Sequence, residues 1–133
     1  MGTVERFEDL RVWNEAKSLA GLVYKTFRQS RDFGFKDQIQ RASVSIMNNI
    51  AEGFERGSDT DFIRFLYIAK SSAGELRSML YLAKELEYVD PKTADDLLKH
   101  AMLISGSLSN FIRYLKNNNL SKPPKTIKPK KPS

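Results

Sequence analysis

The sequence has no cysteine and a single histidine, His100. Without cysteine there is no disulfide framework, no thiolate metal site and no thiol nucleophile. One histidine excludes chemistry that needs two imidazoles from the same chain, including the paired Glu-x-x-His units of di-iron bundles. Long apolar runs are also missing. The longest, Phe65–Ala69 and Met79–Ala83, have five residues each, against the roughly 20 that a membrane-spanning helix needs. The opening Met-Gly-Thr-Val-Glu-Arg6 has no apolar signal core, so a cytoplasmic protein without a membrane partner is expected. There is no Walker loop, Gly-rich phosphate turn or nucleophile elbow. Asp96 precedes His100 by one helical turn and reads as a surface pair rather than a base with its orienter. The expectation is a protein that is not an enzyme and has no cofactor and no metal.

Acidic residues are absent from the last fifteen positions, which hold Lys122, Lys125, Lys128, Lys130 and Lys131. These account for +5 of a formal net charge of +6, leaving 17 basic against 16 acidic side chains over residues 1–118. Four of the five prolines lie in the same stretch. With only Leu120 and Ile127 to bury, residues 119–133 read as a disordered or polyproline-like tail. Two roles are open for it: solubilisation, or an electrostatic arm for RNA or another polyanion. Within the body, Lys25, Arg28, Arg31, Lys36 and Arg41 stand against Asp32 and Asp37, a net of +3. This run is either ordinary surface charge or a phosphate-binding patch. The opposite bias appears from Glu85 to Asp96, where five acids face Lys92 alone.

What the body does have is helical periodicity. The stripe Trp13, Ala16, Ala20, Val23, Phe27 predicts a first helix over about Phe7–Arg28. Ile39, Ala42, Ile46, Ile50, Phe54 predicts a second from about Phe35 to Arg56, stopped at Gly57. Ser58 with Asp61 opens a third, whose seam is Phe62, Leu66, Ala69, Ala73, Leu76, Leu80, Ala83 and whose end falls near Tyr88. Asp90-Pro91 starts a fourth, with seam Ala94, Leu97, Ala101, Ile104, Leu108, Phe111, Leu115, decaying into Asn117–Asn119. No alternating strand pattern competes. Short loops make neighbours antiparallel, so residues 1–118 are predicted to form an all-α, up-down-up-down four-helix bundle.

Apolar residues also lie outside these stripes. The third helix adds Ile63, Phe65, Tyr67, Ile68, Met79, Tyr81 and Leu82; the first adds Leu10, Val12, Leu19, Leu22 and Tyr24. Helices apolar around most of their circumference are usually covered on two sides, which predicts a homo-oligomer. The second helix carries a polar line as well: Gln38, Arg41, Ser45, Asn49 and Glu52, beside Gly53. Asn49 and Glu52 border the apolar stripe and are expected to be partly buried, with Arg41, Arg56 or Arg64 as partners for the carboxylate. Glu75 is a similar case on the third helix, preceded by the small residues Ser71–Gly74. This set is either a structural network or a ligand or RNA contact.

The stretch Gln38-Ile-Gln-Arg41-Ala-Ser-Val-Ser45-Ile-Met-Asn-Asn49-Ile-Ala-Glu52-Gly53 resembles the signature of the 23S rRNA intervening-sequence protein family. Phe62-Ile-Arg-Phe-Leu-Tyr-Ile-Ala-Lys70, followed by Ser72-Ala-Gly-Glu75-Leu, is similar to its third-helix motif, and Phe7-Glu-Asp-Leu-Arg-Val-Trp13-Asn-Glu-Ala16 to its first-helix opening. Where relatives often have Gly-Ser in the third-helix motif, this chain has Ser71-Ser72. The resemblance implies a bacterial four-helix bundle assembling as a homopentamer with a central channel. It also implies a relationship to accessory proteins of diversity-generating retroelements, which act with a reverse transcriptase and bind nucleic acid. Residues and resemblance together predict a non-catalytic oligomeric bundle that binds RNA or a ribonucleoprotein partner through its basic patches and tail. The alternative is a protein–protein scaffold or accessory factor without nucleic-acid binding.

Overall fold

The structure, a computed structural model, describes residues 4–121, with side chains through Asn118. Among these residues the chain forms a 3-10 turn, Phe7–Asp9, and four α-helices: α1 (Arg11–Thr26), α2 (Phe33–Glu55), α3 (Asp59–Glu85) and α4 (Pro91–Ser121). They pack in a ring, α1 on α2, α2 on α3, α3 on α4 and α4 on α1, with no close backbone approach across the diagonals. This is the up-down-up-down bundle that the periodicity predicts.

Local chemistry sets the helix ends. The Asp32 carboxylate accepts from the Phe35 amide at 3.1 Å and opens α2. Ser58 Oγ accepts from the Asp61 amide at 3.1 Å and opens α3. Asp90 accepts from both the amide and the hydroxyl of Thr93, at 2.7 and 3.0 Å, and Pro91 takes the first position of α4. Each cap satisfies amides that have no partner within the helix. Helix α3 stops three residues before Tyr88. The Tyr88 amide bonds back to the Ala83 carbonyl and the Glu87 amide to that of Lys84, with Glu87 at φ 59°. That is a Schellman end, with glutamate where glycine is usual.

Two expected boundaries shift. Residues 7–10 form a separate turn, because the Leu10 backbone is extended (ψ 125°). Asn14 Nδ2 donates to the carbonyls of Glu8 and Leu10, and Phe7 meets Trp13 edge-on at 5.0 Å, holding the turn to α1. At the other end, α4 runs through Asn117–Asn119 to Ser121 rather than decaying there. Asparagine is a poor helix former by only a few tenths of a kcal/mol, roughly 0.7 at most, and an established helix gains one bond per added residue.

The core follows the predicted seams, made wider because each helix in a ring has two neighbours. Leu10, Val12 and Leu19 on the α1 side, and Phe65 and Met79 on α3, are buried, whereas Trp13 is only half-buried. About half of the apolar surplus is thus absorbed within one chain. Leu22, Tyr24, Tyr67, Ile68, Tyr81 and Leu82 remain exposed, joined by Phe33 at 70% and Leu103 at 66%. Edge-to-face aromatic chains close both ends: Phe27–Phe35–Tyr88 at one, Phe54–Phe62–Phe111 at the other.

Candidate nucleic-acid interface

The basic run Lys25–Arg41 sits where α1 turns into α2. Lys36 Nζ donates to the Arg28 carbonyl at 2.9 Å and lies 5.9 Å from the centre of the Phe33 ring. Arg41 donates to Asp37 at 2.8 Å, and that bond raises the guanidinium's pKa. Lys25, Arg28 and Arg31 are exposed. The fold brings a neighbour that sequence distance hides. The Tyr88 hydroxyl donates to Asp32 at 2.7 Å, anchoring the α3–α4 connection beside this patch. This bond, with the Phe35 amide, lowers the Asp32 pKa, and the carboxylate in turn raises that of Tyr88. The acidic run Glu85–Asp96, net −4, therefore occupies the same end as the basic run, net +3. Their long-range fields largely cancel.

The polar line on α2 divides into two parts. Ser45 Oγ and Ser72 Oγ share a hydrogen bond of 2.8 Å between α2 and α3, and Asn49 Nδ2 donates to the Ser45 carbonyl and hydroxyl at 2.8 and 3.0 Å. Two turns further, Gly53 is buried against Phe65: a Cβ there would lie 2.6 Å from Phe65 Cβ. Ser45, Asn49 and Gly53 thus form a small, polar stripe that lets α2 and α3 approach closely. Gln38, Arg41, Glu52 and Glu75 are on the surface. Glu52 is not buried as expected; it pairs in solvent with Arg56 at 3.6 Å. Arg64 pairs with Asp61 at 3.5 Å, and the Arg56 and Arg64 guanidiniums lie 4.8 and 4.7 Å from the centre of the Phe65 ring. An i,i+4 arginine satisfies the Glu52 carboxylate at the surface, so nothing draws it inward.

A third surface escapes a reading confined to apolar stripes. On α3, Tyr67, Lys70, Gly74, Arg77, Tyr81 and Lys84 follow one another at steps of 3 and 4 along one face. That face borders α4. Lys116 Nζ donates to Tyr67 OH at 2.7 Å, Arg77 to Ser105 Oγ at 3.3 Å and Lys84 to Asp95 at 2.9 Å. A depression of about 260 Å³ opens between the helices, lined by Tyr67, Lys70, Ser109, Ile112, Arg113 and Lys116. It holds three cations and no carboxylate. The sequence signal was available: residues 97–118 contain no acid, and residues 64–84 contain four bases against Glu75.

Asp96 does not orient His100; its carboxylate accepts from Lys92 at 2.9 Å, which raises the Lys92 pKa. Among the described residues, no group of three or more His, Asp or Glu is placed to hold a metal ion. No helix there is long and apolar enough to cross a membrane. The tail residues Lys122, Lys125, Lys128, Lys130 and Lys131 lie outside the described residues, as does their expected disorder.

These features define an antiparallel four-helix bundle in which Ser45, Asn49 and Gly53 of the signature serve helix packing and whose candidate binding surfaces are open, charged seams. Residues 8–110 match the family described as 23S rRNA-intervening sequence protein, and the chain belongs to that family. It is similar to the crystal structure of a protein of unknown function from the S23 ribosomal protein family of Bacteroides thetaiotaomicron. The two are 28% identical, with a TM-score of 0.72 over 76% of this chain and 97% of that one. No curated protein matches the chain.

Proposed function

We propose that the chain is a non-catalytic, self-associating helical bundle that binds RNA or a ribonucleoprotein partner. The observation that carries this reading is the one-sided charge of α4. From Leu97 to Asn118 it has Lys99, Arg113 and Lys116 and no acid, and it leads directly into the five lysines of residues 122–131. Family resemblance and the exposed apolar residues support assembly into a ring, with a homopentamer as the expected copy number. Binding is then multivalent, because copies held together present several weak phosphate contacts to one strand. The basic run Lys25–Arg41 is a secondary contact in this reading, since an acidic run shares its end.

The test is RNA binding as a function of salt. Affinity should fall steeply as salt rises. Replacing the five tail lysines with glutamine in the full chain should flatten the slope of log K against log salt by up to about 3.5 on a single strand. An absence of RNA binding at low salt would remove the reading. Light scattering of the pure protein should give a multiple of 15.2 kDa, and a monomer at high concentration would contradict self-association. A second reading, a protein–protein scaffold without a nucleic-acid role, is favoured by the exposure of Phe33, Leu103 and Met102. It predicts self-association with no salt-dependent RNA binding.

A further inference from the structure

We propose that the seam between α3 and α4 is a track for single-stranded RNA, with phosphates held by Lys70, Arg77, Arg113 and Lys116 and bases stacked on Tyr67 and Tyr81. The inference rests on the RNA-binding reading and assigns it a place. Sequence spacing sets the frame: Tyr67, Lys70, Gly74, Arg77, Tyr81 and Lys84 form one row on α3, about 26 Å long at 1.5 Å per residue. The antiparallel register with α4 adds Lys116 beside Tyr67 and Ser105 beside Arg77. Two rings and three cations therefore lie along a single line, with Lys116 beside the first ring.

Three observations select the ligand class. The depression at Lys70, Arg113 and Lys116 has no carboxylate in its lining, so nothing there neutralises the cations. Asp95, bonded to Lys84, closes the acid-free part of the row at its far end. Tyr67 and Tyr81 are 44% and 58% exposed, and with Lys116 Nζ 5.1 Å from the centre of the Tyr67 ring, Tyr81 is the more open platform for an unpaired base, a contact that a stacked duplex cannot make. The middle of the row is low: a Cβ added at Gly74 meets no atom within 4 Å, and the same holds for Gly106, next to Ser105 on α4. A phosphate can come close to the helix backbones there and meet the Arg77 guanidinium, which reaches across to Ser105.

The glycines supply a test that spares the fold. Gly74→Glu and Gly106→Glu place a carboxylate in the track, and glutamate favours helix over glycine. The measurement is fluorescence anisotropy of the full-length protein with a labelled, uridine-rich single-stranded RNA oligonucleotide and with a duplex of equal length. Each glutamate variant should weaken single-strand binding about tenfold at low salt and lower the salt slope by about 0.7 or more. Tyr81→Ala should weaken it about tenfold with the salt slope unchanged. Arg28→Glu, in the secondary contact of the basic run, should weaken binding less than either glycine variant. Wild-type affinity in both glycine variants, with loss in Arg28→Glu, would overturn the track while leaving RNA binding intact. Equal losses for single strand and duplex in Tyr81→Ala would also overturn it, because stacking would then not be the contact removed. If the wild-type protein binds neither RNA, the track fails together with the reading beneath it.

Discussion

Gly53→Ala and Gly74→Ala are the same chemical change on neighbouring helices, and the structure gives them opposite signs. Each adds one methyl group and removes a residue that costs a helix interior up to about 1 kcal/mol. At Gly74 the new Cβ meets nothing within 4 Å, so the helical gain stands alone. At Gly53 it lies 2.6 Å from Phe65 Cβ, 3.1 Å from Phe62 Cδ1 and 3.3 Å from Phe65 Cγ. Phe65 Cβ is fixed to the α3 backbone and cannot rotate away, so α2 and α3 must separate. Overpacking of this kind costs about 1–3 kcal/mol. The separation also stretches the 2.8 Å bond between Ser45 and Ser72, worth about 1 kcal/mol. After the helical gain, Gly53→Ala should lose about 1–3 kcal/mol and Gly74→Ala should gain up to about 1. The assay is urea unfolding followed by circular dichroism, extrapolated linearly to water. Protein concentration must be held constant, because self-association raises apparent stability. If Gly53→Ala is as stable as the wild type, the close approach of α2 and α3 is not what glycine serves there.

Two further outcomes follow from the helix ends. Glu87 holds a left-handed conformation at φ 59°, which a non-glycine residue adopts at a cost of about 1 kcal/mol, so Glu87→Gly should raise the unfolding free energy by about that amount in the same urea assay. The Asp32–Tyr88 bond should fail at both extremes of pH. The folded-state pKa of Asp32 is lowered by Tyr88 and the Phe35 amide, so its contribution is present above the ordinary carboxylate range and lost as pH falls through the lowered value. The pKa of Tyr88 is raised by Asp32, so the same contact is present below the ordinary phenol range and lost as pH rises through the raised value. Thermal unfolding across pH should show Asp32→Asn with a flatter acid limb than the wild type; an unchanged acid limb would assign the acid sensitivity elsewhere.

The fold was legible because its determinants are local. Ser58, Asp90 and Pro91 carry their capping chemistry within a few residues, and the 3–4 spacing of Phe62 to Ala83 lies along one helix. The width of each seam was less legible. Leu19 and Ala20 are adjacent and both buried, which only a helix with two neighbours allows. The exposure of Glu52 depended on Arg56 meeting it in solvent, a matter of side-chain choice rather than spacing. The candidate site was the least legible. The run Lys25–Arg41 is conspicuous in sequence, yet Asp32 and Tyr88, 56 positions apart, bring acids to it. The row Tyr67–Lys84 is inconspicuous, since its bases are spread at helical intervals and gather only when α4 lies alongside.

The closed ring of helices has a consequence for the order of folding. Each helix meets its neighbour in sequence, but α1 also meets α4, a pairing that spans most of the described chain. Loop-closure entropy makes such a distant pairing slower than the union of adjacent helices. The seam between α1 and α4 should therefore be the last to close.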